Sequence, residues 1–460
     1  MDDKPYKIIN GDSLKVLDTF DESSIDAIIT DPPYELGFMG KSWDASGIAY
    51  NVDLWKKALR VLKPGGYLLA FGGSRTFHRI ACAIEDGGFE IRDTIMWLYG
   101  SGFPKSLNIG LAIDKKNGVE SIDTGVASPN ARPNSTKANT LYESGTVGKE
   151  FTIKKATNKW DGWGTCLKPA FEPIIVARKP FNGSLVENVE KNGVGGLNID
   201  ECRVSLNGEK PPKGSGNACK NDTEQKWGFV GNGGNETSFL GRFPSNVILT
   251  YDETDKDEVC GGMPDTNSEG GCSMKNSMFG LTQQVEDYNY HDSGSAARYF
   301  YCAKASKKDR DNGLIYFENV SGAEISNRKE GSKGLVMEGG KQNPYNGKSS
   351  PNNKNFHPTV KPVELMQYLI RLVCPKGSTI LDIFNGSGST GKAAMFENRE
   401  RNADYKYIGI ELDSEYCKIS ESRIDYALNK FKYDILEEIE ENKKTGQLSI
   451  FDFGESDGEE

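Results

Sequence analysis

Apolar residues in this chain fall into short strand-like runs that alternate with stretches of helical spacing. Tyr6-Lys7-Ile8-Ile9 reads as a strand running into the turn Asn10-Gly11-Asp12, and Ser13–Leu17 begins a helix with Asp12 or Ser13 as its cap. Ile25-Asp26-Ala27-Ile28-Ile29-Thr30 is a second strand. Leu54, Ala58, Leu59 and Leu62 have helical spacing over Asp53–Leu62, and that helix stops at Lys63-Pro64-Gly65-Gly66. Tyr67–Phe71 is a buried strand ending at Gly72-Gly73-Ser74, and Arg75–Glu85 is a helix. Arg92–Tyr99 and Phe171–Arg178 read as two edge strands of a hairpin. Near the other end the pattern resumes, with helix Val363–Val373, strand Thr379–Ile383, helix Gly391–Glu397, strand Tyr407–Glu411 and helix Glu415–Phe431. Strands alternating with helices predict an α/β fold around a parallel sheet.

The middle of the chain breaks this rhythm. It is rich in Gly, Asn, Ser and Lys, yet it holds islands such as Phe243–Leu249 and Ala297–Tyr301 that need a core to bury in. This composition predicts a catalytic α/β domain assembled from 1–103, 160–181 and 355–430, an insert at 104–159, a recognition region at 182–354 and a tail at 431–460. The length allows roughly two to three domains.

Charge refines the picture. The net charge is −10, which at first argues against a nucleic-acid partner. But residues 431–460 carry ten acidic and three basic side chains, whereas 301–361 carry eleven basic and six acidic. A local basic surface holds phosphates whatever a distant, screened acidic tail does. No run of about 18 apolar residues marks a membrane span. The N-terminus lacks the basic and apolar regions of a signal peptide. Nine dispersed cysteines without a Cys-x-x-Cys pair predict reduced thiols and a cytoplasmic location. Cys202, Cys260, Cys272 and Cys302 do not have the spacing of known zinc ligands, so no metal is expected.

Two loops carry the chemistry. Asp31-Pro32-Pro33-Tyr34 follows the strand Ile25–Thr30, and Asp382-Ile383-Phe384-Asn385-Gly386-Ser387-Gly388-Ser389 follows Ser378–Leu381. Ligands of open α/β sheets bind beyond the carboxyl ends of strands. One loop is acidic, stiffened by proline and tipped by an aromatic ring, suited to a planar base held by its amino group. The other is glycine-rich, suited to a nucleotide-like cofactor. Alone, the first also reads as a turn that caps a strand.

Asp31-Pro32-Pro33-Tyr34 resembles the catalytic motif of the amino-group DNA methyltransferases, and Asp382–Gly388 resembles their S-adenosylmethionine loop. The catalytic motif comes first, the permuted order of the β class. The resemblance covers about half the chain, mainly its two ends. It implies a Rossmann-like, S-adenosylmethionine-dependent methyltransferase sheet with a large inserted target-recognition domain, double-stranded DNA as partner, a base flipped from the helix, and a role in restriction-modification. It assigns Asp31, Pro32, Pro33 and Tyr34 to catalysis. It assigns Asp382 to the cofactor's methionine amino group, Phe384 to packing beside it, Gly386 and Gly388 to close backbone approach, and Glu411 to the ribose hydroxyls. Asp12 matches the segment that touches the cofactor adenine, a role compatible with capping a helix. Thr359 and Lys361, in His357-Pro358-Thr359-Val360-Lys361-Pro362, match a segment on the cofactor side. The Asp form of the motif favours adenine N6, with cytosine N4 as the alternative. An RNA or protein-glutamine methyltransferase and a silent DNA-binding module are further readings. Phe38 and Trp43 either line the base pocket or pack the loop. At the other terminus, Gln447, Leu448, Ile450 and Phe451 resemble the peptide by which bacterial DNA enzymes dock on the replication sliding clamp.

Overall fold

The buried apolar runs of the sequence become neighbours in one sheet. The computed structural model describes residues 4–37, 42–99, 106–127, 152–205, 241–250, 301–302, 307–318, 320, 336–337, 341–342, 354–430 and 432–433. Phe38, the Trp43 side chain, Cys260, Cys272 and the 447–451 peptide lie outside what is described.

The strands in chain order are β1 (Tyr6–Asn10), β2 (Ile25–Thr30), β3 (Leu62–Phe71), β4 (Glu90–Tyr99), β5 (Ile122–Ala127), β6 (Thr152–Lys155), β7 (Phe171–Arg178), β8 (Val247–Thr250), β9 (Tyr301–Cys302), β10 (Val336–Met337), β11 (Lys341–Gln342), β12 (Thr379–Asp382) and β13 (Lys406–Glu411). Nine of them form one sheet in the order β1-β13-β12-β2-β3-β7-β4-β8-β9. β1, β13, β12, β2 and β3 run parallel, in the register Asn10↔Glu411, Leu381↔Ile408, Leu381↔Ile28 and Ile28↔Leu68. Their carboxyl ends therefore share one edge.

Alternation along β2 and β3 sends residues to opposite faces. Ala27, Ile29, Leu69 and Phe71 pack with helix Val363–Val373 and with Ala393, Ala394 and Met395 of helix Ser389–Arg401. Ile28, Leu68 and Ala70 pack with Leu54, Trp55 and Ala58 of helix Val52–Val61 and with Ile80 and Ile84 of helix Phe77–Asp86. The result is a three-layer α/β fold. Among the described residues no helix is long and apolar enough to cross a membrane, and no group of three or more His, Cys, Asp or Glu could hold a metal ion.

Three local expectations change. Arg92–Tyr99 and Phe171–Arg178 do pair antiparallel, but they are not edge strands: β7 sits between β3 and β4, and β4 continues to β8. Ile174, Ile175 and Ala177 are accordingly buried on both faces. The strand expected to start at Tyr67 starts at Leu62. Lys63-Pro64-Gly65-Gly66 stops the helix and bulges within the strand at left-handed Gly65 (φ +82°), whose N–H donates to Lys179 O at 3.0 Å. Gly66 lies so close to Asp26 that a Cβ there would come within 2.8 Å of its carbonyl oxygen. Within the middle region, Val247–Thr250 pairs with β4 and lengthens the central sheet.

Two compact units emerge, 1–100 with 171–460, and 101–170. In the smaller one, helix Ile109–Asn117 presents buried Asp114, whose carboxylate accepts from Thr157 N, Thr157 Oγ1 and Asn158 Nδ2 at 2.7–2.8 Å. β5 and β6 form its ribbon.

Candidate active site

The two motif loops leave adjacent strands at the same edge. β2 ends at Thr30 and β12 ends at Asp382, and the two side chains join: Thr30 Oγ1 donates to Asp382 Oδ1 at 2.7 Å. Thr390 Oγ1 donates to Asp382 Oδ2 at 2.7 Å, and Phe384 N–H donates to Asp382 Oδ1 at 3.0 Å. Asp382 is 3 % exposed, and burial raises its carboxyl to about 6 against those donors. This network fixes where the glycine loop begins relative to Asp31.

The loop holds its shape through glycines. Gly386 (φ +52°) and Gly388 (φ +75°) are left-handed, a conformation costly for residues with a Cβ. A Cβ at Gly386 would come within 2.9 Å of His357 Nε2, and one at Gly388 within 2.4 Å of Ser420 Oγ. Glu411, at the end of β13, accepts from Gly386 N at 2.7 Å and Asp413 N at 2.9 Å. Burial pushes its carboxyl up to about 7, with these two N–H groups opposing. Asp12 caps helix Ser13–Val16 by accepting from Leu14 N at 3.0 Å. Gly11 N–H donates to Glu411 O at 2.8 Å, so Asp12 lies at the same edge. Phe384 is partly buried against the core cluster that contains Ile28, Leu381, Ile383 and Ile410.

His357 rests over Gly386, edge-on to Tyr416 at 4.6 Å, with Nδ1 3.1 Å from Thr359 O. Burial first, then the Lys361 and Arg423 charges, hold its imidazole at about 3, so it is neutral and donates to that carbonyl. The Thr359 side chain is exposed.

On the other loop, Pro32 is buried and Tyr34 half-buried. Lys361 Nζ donates to Asp31 Oδ2 at 2.5 Å. The other carboxylate oxygen, Oδ1, is buried and accepts no hydrogen bond among the described residues. Tyr34 Oη donates to Glu172 Oε2 at 2.7 Å, and burial, followed by Asp31 and Glu172, lifts its phenol well above the usual range. Past the motif, Glu35 takes a left-handed φ of +55°. Asp44 receives that turn, accepting from Glu35 N at 3.0 Å and Leu36 N at 3.2 Å.

The structure thus gathers Asp31, Pro32, Tyr34, Lys361, Asp382, Phe384, Gly386, Gly388, Glu411 and Asp12 around one edge. Sequence reasoning missed Glu172 and Asp44 as site residues. Glu172 had a weak signal, as an acid between Phe171 and Pro173 at the head of an apolar strand. Asp44 had none, because the Glu35 and Leu36 backbone N–H groups that it receives leave no mark in the sequence. The edge carries more acid than base. Of Asp31, Glu172, Asp382 and Glu411, Lys361 is the sole ion-pair partner among the described residues, and it serves only the first two. Such a site fits a ligand carrying positive charge.

A family model described as DNA methylase matches residues 25–422. Type II methyltransferase M.HindIII of Haemophilus influenzae is 23% identical over 235 residues, 42% of this chain and 64% of that protein. DNA adenine methyltransferase YhdJ of Escherichia coli is 38% identical over 93 residues, 20% of this chain and 29% of that protein. The chain thus spans less than two thirds of the length of these relatives. The solved PvuII DNA methyltransferase, cytosine-N4-specific, aligns over 92% of this chain and 93% of its own at 13% identity and a TM-score of 0.37, a likeness too loose to add to the argument.

Proposed function

We propose, since the chain belongs to the DNA methylase family, that it moves a methyl group from S-adenosylmethionine to the exocyclic amino nitrogen of a base in double-stranded DNA, with adenine N6 as the acceptor. The observation that carries this reading is Asp31 Oδ1, a buried, unpartnered acceptor beside the start of the glycine loop.

An exocyclic amine is a poor nucleophile because its lone pair is delocalised into the ring. Accepting hydrogen bonds from both N–H groups draws the nitrogen toward a tetrahedral shape and frees the pair. Asp31 Oδ1 and the Pro32 carbonyl are those acceptors, held still by two successive prolines. S-adenosylmethionine supplies a methyl group already activated on a sulfonium, so proximity and alignment suffice and no covalent enzyme intermediate is needed. Once methylated, the amino nitrogen would carry one proton in excess, and Asp31 Oδ1, the free acceptor beside it, would take that proton. Tyr34, anchored through its hydroxyl on Glu172, presents its ring to the flipped base. Gly386 and Gly388 admit the cofactor's backbone-side approach, and Asp12, Thr359, Asp382, Phe384 and Glu411 line its place. The surplus of carboxylates suits its sulfonium and ammonium. The 182–354 region reads the target sequence.

Adenine is favoured by the Asp form of the motif. Digestion of methylated DNA to nucleosides and mass analysis should give N6-methyladenine, and N4-methylcytosine alone would overturn that choice while keeping the chemistry. Glu411 makes the donor's affinity pH-dependent. Its charge is lost as pH falls through about 7, so calorimetric affinity for S-adenosylmethionine should weaken several-fold from pH 8 to pH 6. Glu411→Gln should flatten that slope. Docking of Gln447, Leu448, Ile450 and Phe451 on a sliding clamp rests on sequence alone, and titration of a labelled 443–457 peptide against the clamp tests it.

A further inference from the structure

The notable feature beside Asp31 is what holds its other oxygen. Lys361 comes from the segment before helix Val363–Val373, Glu172 from the head of β7, Asp31 from the end of β2 and Tyr99 from the end of β4. Lys361 Nζ lies 2.5 Å from Asp31 Oδ2 and 3.5 Å from Glu172 Oε2. It also stands 4.9 Å above the Phe71 ring and 5.3 Å above the Tyr34 ring. Glu172 is pinned in turn: Tyr34 Oη donates to Oε2 at 2.7 Å and Tyr99 Oη to Oε1 at 3.3 Å. The Lys361 side chain is 8 % exposed, so this ammonium has left water to stand between two carboxylates and two ring faces.

We propose that Lys361 and Glu172 are a positioning pair that keeps Asp31 ionised, commits its Oδ2, and leaves Oδ1 as the one oxygen aimed at the amine. This deepens the methyl-transfer reading and rests on it. A carboxylate buried without a counter-charge takes up a proton, and a protonated Asp31 could not serve the amine as an anionic acceptor. Lys361 prevents that. A lysine devoted wholly to Asp31 would also resist the proton that the amine must shed. Sharing Lys361 with Glu172 moderates the attraction and leaves the three-group cluster one negative charge. The arrangement assigns Lys361 to the catalytic loop, a role distinct from contact with the cofactor.

The directions of titration agree. Burial raises the Asp31 carboxyl, Lys361 opposes, and Glu172 adds to the rise. Burial pulls Lys361 toward neutrality, but Asp31 and Glu172 outweigh it, so it stays an ammonium. The charged and titratable groups around Asp31 are Lys361, Glu172, Tyr34 and, across the strand ends, Asp382. Tyr99 stands behind Glu172, and neutral His357 near Lys361.

The pair predicts shifts of opposite sign. Lys361→Met should move the acid limb of the kcat–pH profile up by at least about one pH unit, with activity partly recovered at alkaline pH. Lys361→Arg should return the limb toward wild type. Glu172→Gln removes a like charge and should move it down. In the free protein, 13C titration of the Asp31 carboxyl, assigned with Asp31→Asn, should shift in the same directions. Thermal melts confirm that each variant folds. Unmoved midpoints in both measurements, shifts of the same sign for both variants, or a Lys361→Met effect confined to cofactor affinity would overturn the proposal. Absence of DNA methylation by the wild-type protein at every pH would instead refute the methyl-transfer reading, and the carboxyl titration would still test the pair.

Discussion

Replacing Asp31 with alanine should lower methyl transfer by about a hundred- to a thousandfold or more, the scale expected when a preorganised electrostatic group is removed from a buried site. Binding of S-adenosylmethionine should change by no more than about twofold, because the cofactor-side groups are Gly386, Gly388, Glu411 and Asp382, and Asp382 keeps its Thr30 and Thr390 hydroxyl donors without Asp31. A single-turnover assay with labelled methyl donor, together with calorimetry, separates the two quantities. Retained turnover would refute the role of Asp31. A parallel loss of cofactor binding would mean that the variant had disturbed the loop instead of the chemistry. Asp31→Asn is the finer comparison. It keeps the shape and a neutral acceptor, so it should retain more activity than the alanine variant and less than wild type.

The second large effect lies below the glycine loop, on stability. Lys392 is fully buried on helix Ser389–Arg401, and its ammonium finds Asp309 Oδ1 at 2.6 Å and the Asp309 carbonyl at 3.0 Å. Asp309 Oδ2 also accepts from Val363 N at 3.0 Å, at the first turn of helix Val363–Val373. Asp309→Ala should therefore strand a buried charge and cost about 3–5 kcal/mol, seen as a melting temperature lower by several degrees. Burial, with Arg423 adding to it, already lowers Lys392 to about 8 from an unfolded value of 10.5, against the pull of Asp309. Between those values the unfolded chain binds more protons than the folded one, so this group's contribution to stability rises with pH. Without Asp309 the lysine sheds its proton more readily, and the deficit of the variant should shrink from neutral pH toward pH 10. Asp309→Ala with Lys392→Met should recover most of the loss, since an apolar pair leaves no stranded charge. A deficit that is independent of pH and unrelieved by the second substitution would contradict this account.

Those two sites divide differently between sequence and structure. Asp31 was legible: an acidic, proline-stiffened loop after the apolar run Ile25–Thr30 has few local rivals, and the glycine loop after Leu381 gave the matching half. Strand and helix positions near both ends were legible for the same reason, because periods of two and 3.6 are properties of the local chain. Helix Val363–Val373 falls where its spacing put it. Asp309 was not legible. It lies in a Gly, Asn and Lys-rich region with no period to place it, and Val363, Lys392 and Arg423, which donate to it, are 54, 83 and 114 positions away. Only folding brings it to Val363 and Lys392.

By itself the sequence determined the α/β alternation, the two loops and their order, because each is written in contiguous residues whose φ restrictions, spacing and side-chain chemistry act locally. It also narrowed the helix cap to Asp12 or Ser13, because a capping bond reaches just two or three residues ahead, and the structure gives that bond to Asp12. Tertiary structure alone decided that β7 is interior and not an edge, because pairing is a matter of which strand lies alongside. It decided that Thr30 and Asp382 meet, 352 positions apart, because parallel β2 and β12 end together. And it decided that Lys361, read from its motif as a group on the cofactor side, sets its amine between Asp31 and Glu172. A long side chain in a buried segment goes to the nearest uncompensated charge, and which charges are nearest is fixed by the sheet.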